Sequence, residues 1–243
     1  MIALEIKNLA KHFGGVYAVD NLSLKIEKGS ITALVGPNGS GKSTLINVIS
    51  GLLPIDGGAI MLSKIALRKI EPWDIPAYGL TRTFQNVRLF DQMPVLDNIL
   101  LVLTERNVFG ALFERHTEFH LKKAEEVLRM VGLWEKRSEL AINLSYGQRK
   151  LLEIGRAYAM NAEVYLFDEP FAGLFPAMVE IISGIFHTLK AAGKTVILVE
   201  HDMGIIRRLT DYVFVLDSGK LLAEGEPNEV LAKREVVEAY LGE

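Results

Sequence analysis

Near the start of the chain, apolar and polar positions alternate in two short runs, Leu4-Glu5-Ile6 and Leu22-Ser23-Leu24-Lys25-Ile26. A period of two sends successive side chains to opposite faces of an extended backbone, so both runs predict half-buried β-strands. Ile31 to Val35 is a short, mostly apolar run behind the turn pair Lys28-Gly29 and predicts a third strand. It leads into the Gly/Pro/Asn/Ser stretch Gly36 to Gly41. Leu45, Ile46, Val48 and Ile49 then recur at helical spacing within Lys42 to Ser50, with Gly51 as the stop. This is a strand, loop and helix in succession. Ala59 to Leu62 predicts another strand, and the Pro- and Trp-containing segment from Glu71 to Gly79 breaks the pattern.

From Val95 to Met160 the pattern turns helical. Leu121, Ala124, Val127, Leu128 and Val131 form one apolar stripe, and Leu151, Leu152, Ile154, Ala157 and Tyr158 form a second. Short β-branched or aromatic runs follow at Val164 to Phe167, Thr195 to Val199 and Tyr212 to Leu216. They are separated by helical stretches over Pro176 to Ala192 and Met203 to Leu209. Strand–helix alternation predicts an α/β fold with a mostly parallel sheet, because parallel neighbours require a crossover connection.

Composition narrows the function classes. The 243 residues predict one compact domain, and 49% hydrophobic with 23% charged residues excludes bulk disorder. The net charge of -3 supplies no general field for nucleic acid or an anionic membrane surface, so no nucleic-acid partner is expected. With no cysteine, disulfides, thiolate metal sites and cysteine nucleophiles are excluded. Glu5, Lys7, Asn8, Lys11 and His12 interrupt the first residues, so no secretory leader is expected there. No apolar run approaches the roughly 18 residues needed to span a bilayer, and membrane association is expected only through a partner.

The chemistry concentrates in a few segments. Gly36-Pro37-Asn38-Gly39-Ser40-Gly41-Lys42-Ser43 matches G-x-x-x-x-G-K-[ST] between a predicted strand and helix. Glycines let consecutive N–H groups curl around a phosphate, the helix N-terminus adds positive potential, Lys42 reaches terminal phosphate oxygens and Ser43 can ligate Mg²⁺. The competing reading is a glycine-rich turn. Val164 to Phe167 ends in Asp168 and Glu169, which form a solvated turn if alone. With a phosphate loop upstream they become a Mg²⁺-contacting acid and a base for the attacking water. Ser145, at the head of Leu144-Ser145-Tyr146-Gly147-Gln148, is placed as a helix N-cap.

Taken in order, these segments resemble the ATP-binding cassette family. The resemblance implies a P-loop NTPase (RecA-like) core with an N-terminal antiparallel β subdomain and an inserted α-helical subdomain. Residues 1–85 and 160–243 would form the core, and 86–159 the helical part with its signature motif. It implies ATP and Mg²⁺ as ligands, with Gly36 to Thr44 holding ATP and Phe13, or its neighbour Tyr17, stacking on adenine. Core packing is the alternative for either ring. Gln85, within Thr83-Phe84-Gln85-Asn86, resembles the family's glutamine loop at Mg²⁺ or water; the alternative is a surface amide. His201 resembles the histidine that contacts the γ-phosphate, against the alternative of a polar strand end. The metal set is then Ser43, Gln85 and Asp168, and the catalytic set Glu169, His201, Lys42 and Gln85.

The stretch Thr81 to Phe90, the Tyr146 variant of the signature and the tail from Glu224-Gly225-Glu226-Pro227 to Glu238-Ala239-Tyr240-Leu241-Gly242 resemble the branched-chain amino acid importer branch of that family. The resemblance implies an ATPase, as a homodimer or a heterodimer with another ABC ATPase. Ser145, Gly147 and Gln148 of one copy would cover the ATP of the other. Transmembrane permease subunits and, indirectly, a periplasmic or extracellular solute-binding protein are the implied partners, with the chain on the cytoplasmic face of the membrane. A lipopolysaccharide-export type cassette and a non-transport ATP switch are the alternatives. Two departures stand out. Phe175 follows Ala172-Gly173-Leu174 where the family has an acid or small polar residue, and Arg149-Lys150 follow Gln148, where they are expected to alter the outer surface.

Overall fold

The computed structural model describes residues 1–62, 65–67, 71–103 and 118–241. They fall into two compact units, one of residues 1–82, 163–169 and 188–243, the other of residues 83–162 and 170–187.

The first unit holds both sheets. Strands β1 (Ile2–Phe13), β2 (Val16–Glu27), β4 (Gly57–Leu62) and β5 (Ile65–Leu67) form an antiparallel sheet in the order β2-β1-β4-β5. The second sheet has the order β10-β9-β3-β8-β7-β6, from β3 (Ile31–Val35), β6 (Leu80–Arg82), β7 (Val164–Asp168), β8 (Thr195–Val199), β9 (Tyr212–Asp217) and β10 (Lys220–Gly225). It is parallel except for β10, which returns antiparallel beside β9. All five residues of β3, β7 and β8 are buried, as expected of strands covered on both faces. Helix α1 (Lys42–Ile49) drives Leu45, Ile46, Val48 and Ile49 into one core with Leu34, Leu166, Ile197, Val199 and Phe214. Each such side chain contributes roughly 2 kcal/mol of burial free energy.

The first two strands are much longer than the alternating runs that predicted them. The reason is a break in register between Ile6 and Leu9 on β1, where it faces β2. Asn8 and Asn21 both take left-handed backbone (φ 49° and 51°), and Asn8 Nδ2 donates to Asn21 Oδ1 at 2.8 Å across the pair. A bulge inserts an unpaired residue and resets which face follows, so a period of two survives only on either side.

The second unit is built on α2 (Val95–Leu103), α3 (Glu118–Met130) and α4 (Tyr146–Ala159). Residues 104–117, within the predicted helical stretch, lie outside the described residues. Ala124, Val127 and Leu128 of the predicted stripe are buried, whereas Leu121 is exposed. Gly155 lets α4 approach α3, since a Cβ there would lie 3.1 Å from Val131 Cγ1 and 3.2 Å from Val127 Cγ1. Asn98, fully buried on α2, accepts from the Phe90 N–H (3.0 Å) and donates to the Phe90 and Pro94 carbonyls (3.2 and 3.1 Å). Helix α5 (Pro176–Ala191) follows β7, and α6 (Met203–Leu209), α7 (Pro227–Val230) and α8 (Arg234–Leu241) complete the chain order.

Candidate active site

The loop after β3 is forced by close packing. Gly36 has φ 148°, and a Cβ on it would sit 2.1 Å from the Leu216 carbonyl oxygen. Gly41, at φ 101° and capping α1, would place a Cβ 2.3 Å from the Ala18 oxygen. The backbone therefore passes between β9 and β2 where no other side chain fits. Ser40 N–H donates to Pro37 O (3.2 Å) and Ser40 O accepts from Gly219 N–H (3.1 Å), while Asn38 and Gly39 face solvent. Lys42 folds back into this loop, donating to the carbonyls of Gly36 and Pro37 at 2.8 Å each and to Ser40 Oγ at 3.3 Å. Phosphate oxygens are acceptors of the same kind. The Tyr240 hydroxyl lies buried beside the Gly36 backbone, and burial pushes it up to about 12.

Sheet register sets the height of the acids. Leu34 of β3 pairs with Val199 of β8, and Val199 pairs with Asp168 of β7, so the three share one row. Two strand spacings put Asp168 about 10 Å from Leu34, just below the start of the phosphate loop. Glu169 follows in left-handed backbone (φ 48°), its N–H donating to Val199 O at 3.0 Å. A non-glycine residue held there is strained, a feature that clusters at functional sites. His201 Nδ1 lies 3.8 Å from Glu169 Oε1, and buried Glu200 accepts from the His201 N–H at 3.2 Å. Burial lowers the Lys42 ammonium below its usual value, opposed by the charges of Glu169 and Asp168.

Arg82, at the end of β6, was not singled out by sequence reasoning. Its guanidinium donates to Asp168 Oδ2 (3.1 Å), Asn47 Oδ1 (2.7 Å) and Ser50 Oγ (2.7 Å), joining the acid to the C-terminal turn of α1. A three-residue strand shows no periodicity, and the partners lie far away in the chain.

At the β1–β2 hairpin, Phe13 and Tyr17 are 51% and 57% exposed, which removes core packing as the account of either ring. His12 stacks on Tyr17 with centroids 5.7 Å apart, and Lys11 Nζ lies 5.3 Å over the Phe13 ring.

In the second unit, Gln85 is exposed on the segment after Thr83. Ser145 caps α4 in a capping box: Ser145 Oγ accepts from Gln148 N–H, and Gln148 Oε1 accepts from Ser145 N–H at 3.1 Å. Gly147 is required by Met178, whose Sδ would lie 2.4 Å from a Cβ. Phe175 is 76% exposed. The expectation that Arg149 and Lys150 alter only the outer surface is corrected. Lys150 is fully buried, because α4 turns it inward with Glu153, and Arg149 pairs with Asp91 at 2.6 Å.

The structure thus groups the phosphate loop, Asp168, Glu169 and His201 in the first unit, and Gln85 with the Ser145–Gln148 cap in the second. The donor chemistry near the loop suits Mg²⁺. Ser43 and Asp168 offer hard oxygens, and among the described residues no cluster of three or more His or carboxylate groups forms a metal cage. Mg²⁺ is commonly held by one or two such oxygens with phosphates and water.

A phosphate loop on a parallel sheet, with an acid pair at the end of the next strand but one, defines a P-loop nucleotide hydrolase. The family model described as ABC transporter matches residues 19–172, and the chain belongs to the ABC transporter ATP-binding cassette family. It is 37% identical to a probable branched-chain amino acid transport ATP-binding protein LivG of Methanocaldococcus jannaschii, over 100% of this chain and 98% of the relative. Among solved structures it is similar to an ABC transporter cassette in its ADP conformation, with TM-score 0.87, 37% identity and 100% of both chains covered. It is also similar to a dimeric ATP-binding cassette in a post-hydrolysis state bound to ADP and Pi, with TM-score 0.81, 28% identity, and 92% of this chain and 98% of that one covered.

Proposed function

We propose that this cassette hydrolyses ATP to power uptake of branched-chain or related amino acids through a membrane permease. The observation that carries the substrate class is the 37% identity, along the whole chain, with a relative named for branched-chain amino acid transport. Two further relatives, 35% and 34% identical, are named high-affinity branched-chain amino acid transport ATP-binding proteins, which favours amino-acid transport over the lipopolysaccharide-export and switch readings.

Phosphoryl transfer to water asks for alignment, charge neutralisation and exclusion of solvent more than for covalent help. Gly36 to Thr44 would wrap the phosphates with backbone N–H groups. Lys42 would exchange its loop carbonyls for terminal phosphate oxygens. Glu169 would accept a hydrogen bond from the attacking water and set its line of approach, and His201 would donate to the γ-phosphate. Mg²⁺, when bound through Ser43, Asp168 and the Gln85 amide, supplies positive charge at the phosphate oxygens. Phe13, or Tyr17, would stack on adenine. The dimeric relative supports a pair in which Ser145, Gly147 and Gln148 of a second copy, or of a related ATPase, cover the nucleotide and exclude water. Among the described residues no helix is long and apolar enough to cross a membrane, in keeping with a peripheral subunit at the cytoplasmic face, held by permease subunits and served by a solute-binding protein.

The test is uptake of labelled leucine, isoleucine and valine by proteoliposomes holding the complex recovered with this chain. ATP-driven accumulation is expected. Robust ATP turnover without accumulation of any of the three would overturn the substrate class and leave the hydrolase standing.

A further inference from the structure

Lys150 is fully buried and Glu153 is 2% exposed, a buried opposite-charge pair on one face of α4 at i and i+3. Burying two charges costs stability that their mutual attraction repays only with additional hydrogen bonds. Here those bonds run to one short segment of chain. Lys150 Nζ donates to the carbonyl oxygens of Phe84 at 3.3 Å and of Gln85 at 3.4 Å. Glu153 Oε1 accepts from the Arg88 N–H at 3.0 Å, and the Phe84 N–H also faces the carboxylate. Arg156, one further turn along, donates to the Arg88 carbonyl. The Arg88 guanidinium lies 3.9 Å over the Phe84 ring.

The carbonyls of Phe84 and Gln85 belong to the two peptide planes that meet at the Gln85 Cα. Planar peptides leave only φ and ψ between them. A single ammonium that holds both carbonyls therefore fixes the backbone of Gln85 and the direction in which its side chain leaves. Glu153 holds the Arg88 N–H, three residues beyond Gln85, and faces the Phe84 N–H, one residue before it. Burial raises the Glu153 carboxyl above its usual range, with the Arg88 N–H and Lys150 acting against that rise.

We propose that Lys150 and Glu153 are positioning residues for the reaction, a buried clamp that aims Gln85. This rests on the reading of Gln85 as the amide at Mg²⁺ or water, and neither clamp residue touches nucleotide. The clamp also ties Gln85 to the helix that begins at Ser145, so a shift of α4 is passed to the Gln85 backbone through charged hydrogen bonds.

The experiment is a double-mutant cycle on the assembled transporter, with hydrogen exchange on the same samples. Lys150→Met with Glu153→Leu replaces the pair by apolar groups of similar size, an exchange that buried pairs commonly tolerate. ATP affinity is expected within about twofold of the parent, with kcat lowered about tenfold. Gln85→Ala should lower kcat about tenfold in the parent and less than about twofold in the clamp variant, because residues acting as one unit do not add. Exchange of the amides over 84–88 should quicken, while that of the phosphate loop stays unchanged. A full Gln85→Ala effect in the clamp variant, or unchanged exchange over 84–88, overturns the clamp alone. A silent Gln85→Ala in the parent overturns the reading of Gln85 and the clamp with it. Should the double variant fail to fold, Glu153→Gln, which keeps one carbonyl acceptor, goes through the same cycle under the same criteria.

Discussion

At the scale of single residues, Glu169 and Arg82 carry the sharpest consequences. Glu169→Gln keeps the size and the backbone of a residue held at φ 48° and removes only the carboxylate charge. ATP binding should persist while steady-state hydrolysis falls on the order of a hundredfold, the scale of losing a positioned base; near-parental turnover would remove Glu169 from that role. Arg82 makes a different prediction. Its side chain and that of Asp168 are 7% and 9% exposed, so Arg82→Met withdraws a buried cation from Asp168, Asn47 and Ser50 together. Stability in urea should fall by about 3 kcal/mol, as for breaking a buried pair by removing one partner. A loss under about 1 kcal/mol would make the contact incidental. The two residues also mark what could be read in advance. Glu169 can be read in advance as a candidate base because it ends an apolar run beside Asp168 downstream of a phosphate loop, whereas Arg82 has meaning only once β6 lies next to β7, which nothing local in Leu80–Arg82 encodes.

At the scale of elements, caps and strand ends carry the weight. Ser145 has a structural role in the capping box and a proposed role on a partner's nucleotide, and two substitutions separate them. Ser145→Ala should cost about 1 kcal/mol of stability, and Ser145→Asp, an equally good cap, should cost little. Both should impair hydrolysis, Asp more severely because its charge opposes phosphate. If Asp hydrolyses ATP at the parental rate, Ser145 is a cap only. At the hairpin, Asp56 accepts from Lys11 Nζ (2.9 Å) and from the His12 N–H (2.8 Å). The His12 N–H and Lys11 hold its carboxyl below its usual 3.8. A depressed carboxyl contributes stability above its unfolded value and loses it as pH falls through its folded value. Asp56→Asn should therefore lower Tm at pH 7, with the gap to the parent closing as pH drops below 3.8. A gap that is constant with pH would assign the loss to packing. The Ser145 cap was legible in the sequence, since a cap is a local device; the return bond to Gln148 that makes it a capping box emerged only in the structure. The long β1 and β2 were not legible, because the Asn8–Asn21 bulge cuts a continuous strand into fragments too short to join by pattern.

At the scale of the whole molecule, the question is what ATP does to the association of copies. Light scattering on Glu169→Gln should give a monomer mass without nucleotide and a dimer mass with ATP and Mg²⁺. A mass that stays monomeric despite bound ATP would mean that a different ATPase, or the permease, completes the pair. The strand–helix alternation made the parallel sheet legible, but not its order, which follows from crossovers. In that order β3 is flanked by β8 and β9, and Gly36 is wedged against the Leu216 oxygen. The segment most easily recognised in the sequence thus depends for its shape on strands made late in the chain. During synthesis, a nascent chain that has already exposed Gly36 to Ser43 lacks both neighbours of β3 until residues 195–217 have left the ribosome. Non-local pairing of this kind forms late. An unfinished copy would carry the nucleotide motif without the strands that give the loop its shape.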